Sequence, residues 1–178
     1  MFIEDGYIVE IKYELRDGGP EGETLELMSE EWPLKFLFGA GAMLPAFEAN
    51  LRGLEEGQPF QFLLQARDAY GPHEPEQVVQ VFLDEIAEDP HYPINRYETG
   101  DLITLNTEEG KVISGSIQQI TDRYLLVDCN HSMAGKDLHF SGQVLHIREA
   151  RWDERQAQRY IEPNGFRSHS TLRQPPNH

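Results

Sequence analysis

Alternation of apolar and polar residues marks a strand close to the start of the chain. From Tyr7 to Leu15 the odd positions are apolar or aromatic, and three of the four even positions are charged. A period of two places successive side chains on opposite faces of a sheet, so the odd side chains, Tyr13 among them, are predicted to face the core. Turn residues fill positions 17–22, and residues 24–27 alternate again, which predicts a second strand.

A change to helical spacing follows. Leu44, Phe47 and Leu51 recur at intervals of three and four residues. Pro45 suits a first helical turn because it has no N–H to satisfy, and Gly53 suits the position after a helix end. These features predict a two-turn helix.

The pattern then points to a domain that is interrupted and resumed. Residues 60–64 predict another strand, and a polar, proline-containing stretch follows Pro72. Beyond it, short apolar runs predict strands at 78–82, 102–105, 111–113 and 124–127, before strand patterning returns at 138–147. We therefore predict one domain of residues 1–73 plus 129–150, an inserted β-rich domain of residues 74–128, and an extension of residues 151–178. In that extension a helix is predicted from Trp152 to Ile161, and the remainder is expected to be mobile.

Composition excludes several classes of partner. The chain has 178 residues and a formal net charge of -16, which argues against nucleic-acid binding, because that affinity depends on Lys and Arg. No stretch approaches the about 18 consecutive apolar residues that a membrane span needs. The acidic N-terminus does not resemble a secretory signal, and Cys129 is the one cysteine. We expect a cytoplasmic monomer.

Metal and nucleophile chemistry is weakly indicated. Cys129 lies two positions from His131, but Asp128 is expected to raise the pKa of the thiol, so a structural turn cysteine is the better interpretation. Cys-x-x-Cys, His-Glu-x-x-His and Gly-x-Ser-x-Gly spacings do not occur in the sequence. After residue 150 the histidines are His169 and His178, too few for a metal-binding tail. We expect no metal and no cofactor.

Several motifs, taken together in their order and spacing, resemble those of one family. They comprise a tyrosine in the first strand, a glycine-flanked helix, a turn, a Tyr-Gly pair and an Asn-His segment that leads to a Phe: Tyr13, 39–48, 51–57, 68–71 and 130–140. Over residues 3–150 the chain resembles SlyD-type FKBP peptidyl-prolyl cis-trans isomerases. The resemblance implies a mainly β (α+β) fold, in which an antiparallel sheet wraps a short helix and an insert-in-flap chaperone domain interrupts the flap.

The resemblance also implies a substrate site. Tyr70 is expected to hydrogen-bond the carbonyl that precedes the substrate proline, Leu44 to offer its backbone N–H, and Tyr13 and Glu26 to complete the catalytic set. Glu26 stands where the family commonly has an aspartate, so reduced activity is expected from its longer side chain. The remaining substrate-binding residues implied are apolar, apart from one histidine: Leu25, Leu34, Met43, Leu44, Phe47, Phe140 and His131.

Alternatives stay open at two levels. By residue type, the aliphatic members of this set are ordinary core residues, and His131 is a turn residue with a structural hydrogen bond. By function, the protein is either an isomerase of X-Pro bonds in unfolded or nascent polypeptides or a weakly catalytic or non-catalytic chaperone. In both, apolar residues of the insert such as Val78, Val81 and Phe82 hold the polypeptide or form the small domain's own core.

Overall fold

A computed structural model describes residues 1–86, 96–106 and 109–163. Its internal contacts divide the chain into two compact units, one of residues Met1–Gly71 together with the chain from Gly135 onward, the other of Pro72–Ala134. Each unit contains an antiparallel sheet, and helices are few and short. The predicted mainly β (α+β) class is confirmed.

The strands of the first unit are β1 (Tyr7–Asp17), β2 (Thr24–Met28), β3 (Leu34–Leu37), β4 (Pro59–Leu64) and β9 (Leu138–Glu149), with helices α1 (Pro45–Leu51) and α2 (Trp152–Ala157). The second unit holds β5 (Val78–Phe82), β6 (Leu102–Asn106), β7 (Val112–Ile120) and β8 (Tyr124–Asp128). Short 3-10 turns lie at Ala66–Asp68, Pro75–Gln77 and Leu83–Glu85. No helix in the described ranges is both long and apolar enough to cross a membrane.

Strand β1 organises the sheet of the first unit. The strand order is β2-β1-β9-β4, and β3 also pairs with β1. β3 pairs with the first half of β1, where Leu34 lies opposite Ile11, and β2 pairs with the second half, where Met28 lies opposite Tyr13. From Val9 to Leu15 the odd side chains of β1 are buried as the alternation predicts, and Tyr13 retains 2% of its accessible surface. At the start of the strand the even residue Ile8 is buried as well, in a group with Leu37 and Ala150.

Helix α1 lies where the spacing predicts it. Pro45 occupies its first turn, and the side chains of Phe47 and Leu51 are buried. The N–H of Arg52 bonds to the carbonyl of Glu48, and the next residue, Gly53, has φ +80°, a left-handed conformation that favours glycine. The helix therefore ends at Leu51, because the chain enters a left-handed turn at Gly53 directly after it.

The C-terminal extension departs from its prediction. Helix α2 ends at Ala157 and does not reach Ile161, because Gln158 adopts a left-handed conformation with φ 50° and closes the last turn with its N–H. Beyond this cap the chain turns back, and Tyr160 packs against a buried group that contains Ile8 and Leu37. The remainder that is predicted to be mobile, with its two histidines, begins at residue 164 or later and lies outside the described residues.

The second unit is a four-stranded antiparallel sheet with the order β5-β8-β7-β6. Strands occur at all four predicted places, although β7 continues to Ile120, well past the predicted run. One face carries the core of the unit, made of buried aliphatic side chains: Val81, Ile86, Ile103, Leu105, Ile113, Ile117, Leu125 and Val127. The alternate side chains of β6 and β7 are on the opposite face.

Candidate functional site

Five aromatic rings of the first unit form what we call the aromatic cluster, with Phe47 of α1 at its centre. The centroid of Phe47 lies 5.0 Å from Phe140, 5.8 Å from Phe62, 6.2 Å from Phe36 and 6.3 Å from Tyr13. All four pairs are tilted or edge-to-face, the geometries that ring quadrupoles favour. One helix residue thereby joins rings from β1, β3, β4 and β9.

Sheet register explains why these rings meet. Phe140 on β9 lies opposite Leu15 on β1 and Phe62 on β4, so all three side chains share one face. Two residues along, Gly142 lies opposite Tyr13 and Phe60. A Cβ at Gly142 would lie 2.6 Å from the Phe60 ring and 2.8 Å from the Tyr13 Cβ, so the absence of a side chain lets these two aromatic residues close over it.

A carboxylate reaches the edge of the aromatic cluster. Glu26 on β2 lies opposite Leu15, a fully buried residue, which places its side chain on the inner face. There Oε1 of Glu26 accepts a hydrogen bond from the Tyr13 hydroxyl. Leu27, the next residue, is 67% exposed. In β2, therefore, the charged Glu26 faces inward and the apolar Leu27 faces solvent, which is the reverse of the usual arrangement.

Tyr70 occupies a loop that is anchored to the start of β9. The N–H of Gly71 bonds to Ala66 O at 2.7 Å, and Gly135 N donates to Gly71 O at 2.8 Å. The Oδ1 of Asp137 accepts the N–H of Ala66 at 2.8 Å. These bonds join the Tyr-Gly segment to the segment that leads into Phe140.

The Tyr70 hydroxyl keeps its proton at neutral pH. Burial, and after it the negative charge of Glu26, raises the pKa of the Tyr70 phenol to about 12. A phenol with that pKa stays protonated at neutral pH and acts as a hydrogen-bond donor. The site thus combines buried aromatic rings, one carboxylate and one phenolic donor, an arrangement suited to binding an apolar group beside a carbonyl.

Comparison with known proteins gives a consistent family. No family model matches the chain. The chain is 29% identical over 154 residues to the FKBP-type peptidyl-prolyl cis-trans isomerase SlyD of Escherichia coli (strain K12), covering 86% of this chain and 74% of that protein. Its similarity to SlyD of Treponema pallidum is 29% over 157 residues, covering 86% and 83%. SlyD of Yersinia pestis is 29% identical over 156 residues, covering 88% and 76%. Over most of its length the chain is therefore similar to SlyD-type FKBP proteins.

The residues that the SlyD-type resemblance implies are mostly together in the first unit. Leu34, Met43 and Leu44 are buried at the start of β3 and just before α1, with 0%, 1% and 4% of their surfaces exposed. Leu25 is half-buried and lies at a register shift, since Leu15 pairs with Glu26 and Arg16 pairs with Thr24. This β-bulge leaves Leu25 without an opposite residue on β1.

His131 belongs to the second unit. Its Nδ1 accepts the backbone N–H of Met133 at 3.0 Å, so the ring proton sits on Nε2, and partial burial lowers the pKa of the imidazole. The structural hydrogen bond expected of a turn histidine is therefore present. Nearby, burial and then the charge of Asp128 raise the pKa of the Cys129 thiol, as expected of an unreactive cysteine.

Sequence reasoning missed three residues that shape the site. Phe36 and Phe62 belong to the aromatic cluster, and Gly142 makes room for Tyr13. The first two could have been found from the sequence. Phe36 lies two residues after Leu34 and so on the same face of a strand, and Phe62 is in a predicted strand. The role of Gly142 depends on strand register, which no local pattern reveals.

Proposed function

We propose that this protein is a SlyD-type FKBP peptidyl-prolyl cis-trans isomerase that acts on X-Pro bonds of unfolded or nascent polypeptides in the cytoplasm, as a monomer and without a cofactor. The relatives carry this activity in their names. The observation that carries the proposal is the aromatic cluster with Tyr70 and the Glu26 carboxylate beside it. Together they suit a proline ring and the carbonyl that precedes it.

The proposed mechanism needs no covalent step. Rotation about an X-Pro bond is slow because amide resonance must be broken, and it takes tens to hundreds of seconds unassisted. The planar amide is charge-separated, whereas the twisted amide is less polar, so a dry aromatic wall favours the twisted state over the ground state. The Tyr70 hydroxyl donates to the carbonyl oxygen before the proline, and the backbone N–H of Leu44 offers a further hydrogen bond. Because a donor to an amide oxygen favours the planar state, these bonds hold the substrate in place, and the dry aromatic wall favours the rotation.

The test of catalysis is acceleration of cis-trans exchange in short X-Pro peptides. Tyr70→Phe removes one donor to the carbonyl and is expected to lower kcat/KM by about tenfold. Tyr160→Phe is the matched control, because Tyr160 is also a half-buried tyrosine of the first unit but packs against Ile8 and Leu37. A wild-type protein that leaves peptide exchange at its uncatalysed rate contradicts the proposal.

Reduced activity caused by Glu26 is part of the proposal. A carboxylate on a longer side chain has more rotamers to lose when it fixes the Tyr13 hydroxyl, and small misplacements in a site lower rates. Glu26→Asp is therefore expected to raise kcat/KM, with Glu23→Asp as a control on an exposed carboxylate just before β2. Equal or lower kcat/KM in a Glu26→Asp variant that unfolds like wild type refutes this part alone.

A chaperone function of the second unit is favoured by its exposed apolar side chains. Leu102 is 84% exposed, Val112 60% and Phe82 43%. Leu102 and Val112 alternate with the buried Ile103 and Ile113, so they lie on the sheet face away from the core of that unit. Exposed apolar side chains on a sheet face suit capture of extended, apolar polypeptide segments.

Replacing residues 74–128 by a short loop separates the two activities. The variant is expected to retain activity on short peptides and to lose most of its acceleration of proline-limited protein refolding, because capture raises the local concentration of prolines. Equal loss of both activities contradicts this division. Suppression of aggregation by a wild-type protein that does not isomerise peptides would instead favour the non-catalytic chaperone.

A further inference from the structure

Asp137 caps the turn at which the Tyr70 loop begins. The first N–H groups of a helical turn have no partner within the turn, and Gln65, which precedes the 3-10 turn Ala66–Asp68, provides no side-chain cap. The acceptor comes from a distant part of the chain instead, because Asp137 Oδ1 accepts the N–H of Ala66 at 2.8 Å across 71 residues of sequence. The loop is therefore fixed at its first residue by one side chain.

Sheet register places Asp137 beside this turn. β4 and β9 pair as far as Leu64 and Leu138, so the residues just beyond them, Ala66 on one strand and Asp137 on the other, remain neighbours. On the other side of β9, Gly18 N donates to the carbonyl oxygen of Asp137 at 2.7 Å. The backbone of Asp137 is thus held from the end of β1, and its half-buried carboxylate offers the loop a fixed acceptor.

Ala66 in turn holds the backbone on both sides of Tyr70. Its carbonyl oxygen accepts the N–H of Ala69 at 3.1 Å and the N–H of Gly71 at 2.7 Å. Gly71 has φ +76°, a conformation that favours glycine, so the chain turns directly after Tyr70. A displacement of Ala66 therefore moves the residues before and after Tyr70 together.

The Tyr70 hydroxyl is sensitive to such a displacement. Burial, and then the charge of Glu26, raise the pKa of the phenol, so the half-buried ring lies within electrostatic range of the carboxylate that accepts the Tyr13 hydroxyl. A tyrosine side chain is long, and a small rotation of its backbone becomes a larger movement of its oxygen. Hydrogen bonds weaken steeply with poor geometry, and small misplacements in a site lower rates.

We propose that Asp137 is a positioning residue for Tyr70, and that its hydrogen bond to Ala66 N determines where the Tyr70 hydroxyl lies in the substrate site. The inference rests on the proposed isomerase function and adds to it a residue that does not touch the substrate. The charge of Asp137 is not required, because the side-chain oxygens of Asp and Asn cap such N–H groups about equally well.

The kinetic test compares three replacements of Asp137 in cis-trans exchange of short X-Pro peptides. Asp137→Asn keeps an acceptor at the same place and is expected to retain kcat/KM within about twofold. Asp137→Ala removes the acceptor and Asp137→Glu displaces it, so both should lower kcat/KM by about fivefold, less than Tyr70→Phe does. The loss should appear in KM, because the Tyr70 bond holds the substrate, whereas a smaller folded fraction would lower kcat alone.

Asp17→Ala is the matched control. Asp17 is also a partly exposed aspartate beside this segment, but its carboxylate bonds to Lys136 rather than to Ala66. This variant should therefore retain the kcat/KM of wild type. Equal losses in Asp137→Asn and Asp137→Ala overturn the inference, and so does unchanged kcat/KM in Asp137→Glu, which decides the question if Asp137→Ala does not fold.

A double-mutant cycle with Tyr70→Phe separates positioning from a general effect on the fold. If Asp137 acts through the Tyr70 hydroxyl, Asp137→Ala or Asp137→Glu should lower kcat/KM by less than about twofold once that hydroxyl is absent. Losses that multiply would mean that Asp137 acts independently of the hydroxyl, and they overturn the inference.

The same cycle in peptide binding, measured by calorimetry, distinguishes failure of the inference from failure of the proposed function. If wild type binds the peptide without isomerising it, the isomerase is refuted, and weaker binding of the Asp137 variants that depends on the Tyr70 hydroxyl still supports the positioning role. Isomerisation by wild type with unchanged kinetics in Asp137→Ala and Asp137→Glu supports the isomerase and refutes the inference. A wild-type protein that neither binds nor isomerises the peptides refutes both.

Discussion

Replacement of Glu154 by glutamine is expected to destabilise the first unit by about 2 kcal/mol, because it breaks an ion pair in which the carboxylate is buried and the Arg148 side chain is 29% exposed. The Glu154 side chain has no exposed surface. Its carboxylate accepts bonds from both terminal nitrogens of Arg148 at 2.7 and 2.8 Å and from Arg151 N at 2.9 Å. Glutamine keeps the shape but removes the charge and one acceptor, which leaves the Arg148 guanidinium poorly paired.

The same contacts predict a pH dependence. Burial by itself raises the pKa of Glu154, but hydrogen bonds from Arg148, and then from the N–H groups of Arg151 and Ile161, outweigh it and lower the pKa to about 2. A carboxylate whose folded-state pKa is depressed contributes its stability above its unfolded value, ordinarily 4.5, and loses it as pH falls toward the folded value. Wild type should therefore lose stability between these two pH values, whereas Glu154→Gln should lack this contribution throughout.

Urea unfolding at pH 7 and near pH 2, followed by near-ultraviolet circular dichroism of packed aromatic rings, measures the difference. The aromatic cluster belongs to the first unit, so the signal chiefly reports that unit. Glu149→Gln is the matched control, because Glu149 pairs with Arg155 at 3.4 Å with both side chains more than half exposed, and its loss should cost below about 1 kcal/mol. Equal effects of the two variants, or a Glu154→Gln effect that is the same at both pH values, refute the reasoning.

Three further variants test the packing of the site by urea unfolding. Gly142→Ala should lower the free energy of unfolding by at least about 2 kcal/mol, because its Cβ would lie 2.2 Å from the Lys12 carbonyl oxygen and overpack the strands. A change within experimental error would mean that β1 and β9 move apart at little cost. His139→Leu should change stability by less than about 1 kcal/mol, because the buried Nδ1 has no hydrogen-bond partner in the described part of the chain, whereas Nε2 lies 3.0 Å from the Gln61 amide nitrogen; a larger loss would show that the Gln61 contact outweighs the unpaired Nδ1. Tyr13→Phe should cost about 2 kcal/mol by removing a donor to the Glu26 carboxylate, and a neutral effect would show that this contact adds nothing.

Local patterns predicted those parts of the first unit in which one period dominates. The inward face of β1 and the bounds of α1 follow from spacing together with Pro45 and Gly53, and the structure confirms both. The end of α2 was missed, because the left-handed conformation of Gln158 has no signature in residue type. Position 158 holds neither glycine nor asparagine, the residues that usually mark such an ending.

The site was harder to predict than the fold, because it depends on register between strands far apart in sequence. Phe140 meets Phe62 across β9 and β4, and Gly142 meets Tyr13 across β9 and β1. A shift of one residue would turn each of these side chains to the other face. The family resemblance identified Tyr13, Phe47 and Phe140. It did not identify Gly142, whose contribution is the absence of a side chain.

Glu26 illustrates why side-chain length alone does not decide a contact. The bulge between Leu15 and Arg16 lies directly beside it, and a bulge bends the strand and redirects the neighbouring side chains. The longer arm of a glutamate and the altered path of β2 act together, and the carboxylate reaches the Tyr13 hydroxyl. A substitution of Glu26 therefore changes the fit of a bulged strand as well as an acceptor. For this reason the kinetic effect of Glu26→Asp has to be read beside its effect on unfolding: a higher kcat/KM at unchanged stability assigns the effect to the carboxylate, whereas a parallel loss of both assigns it to the strand.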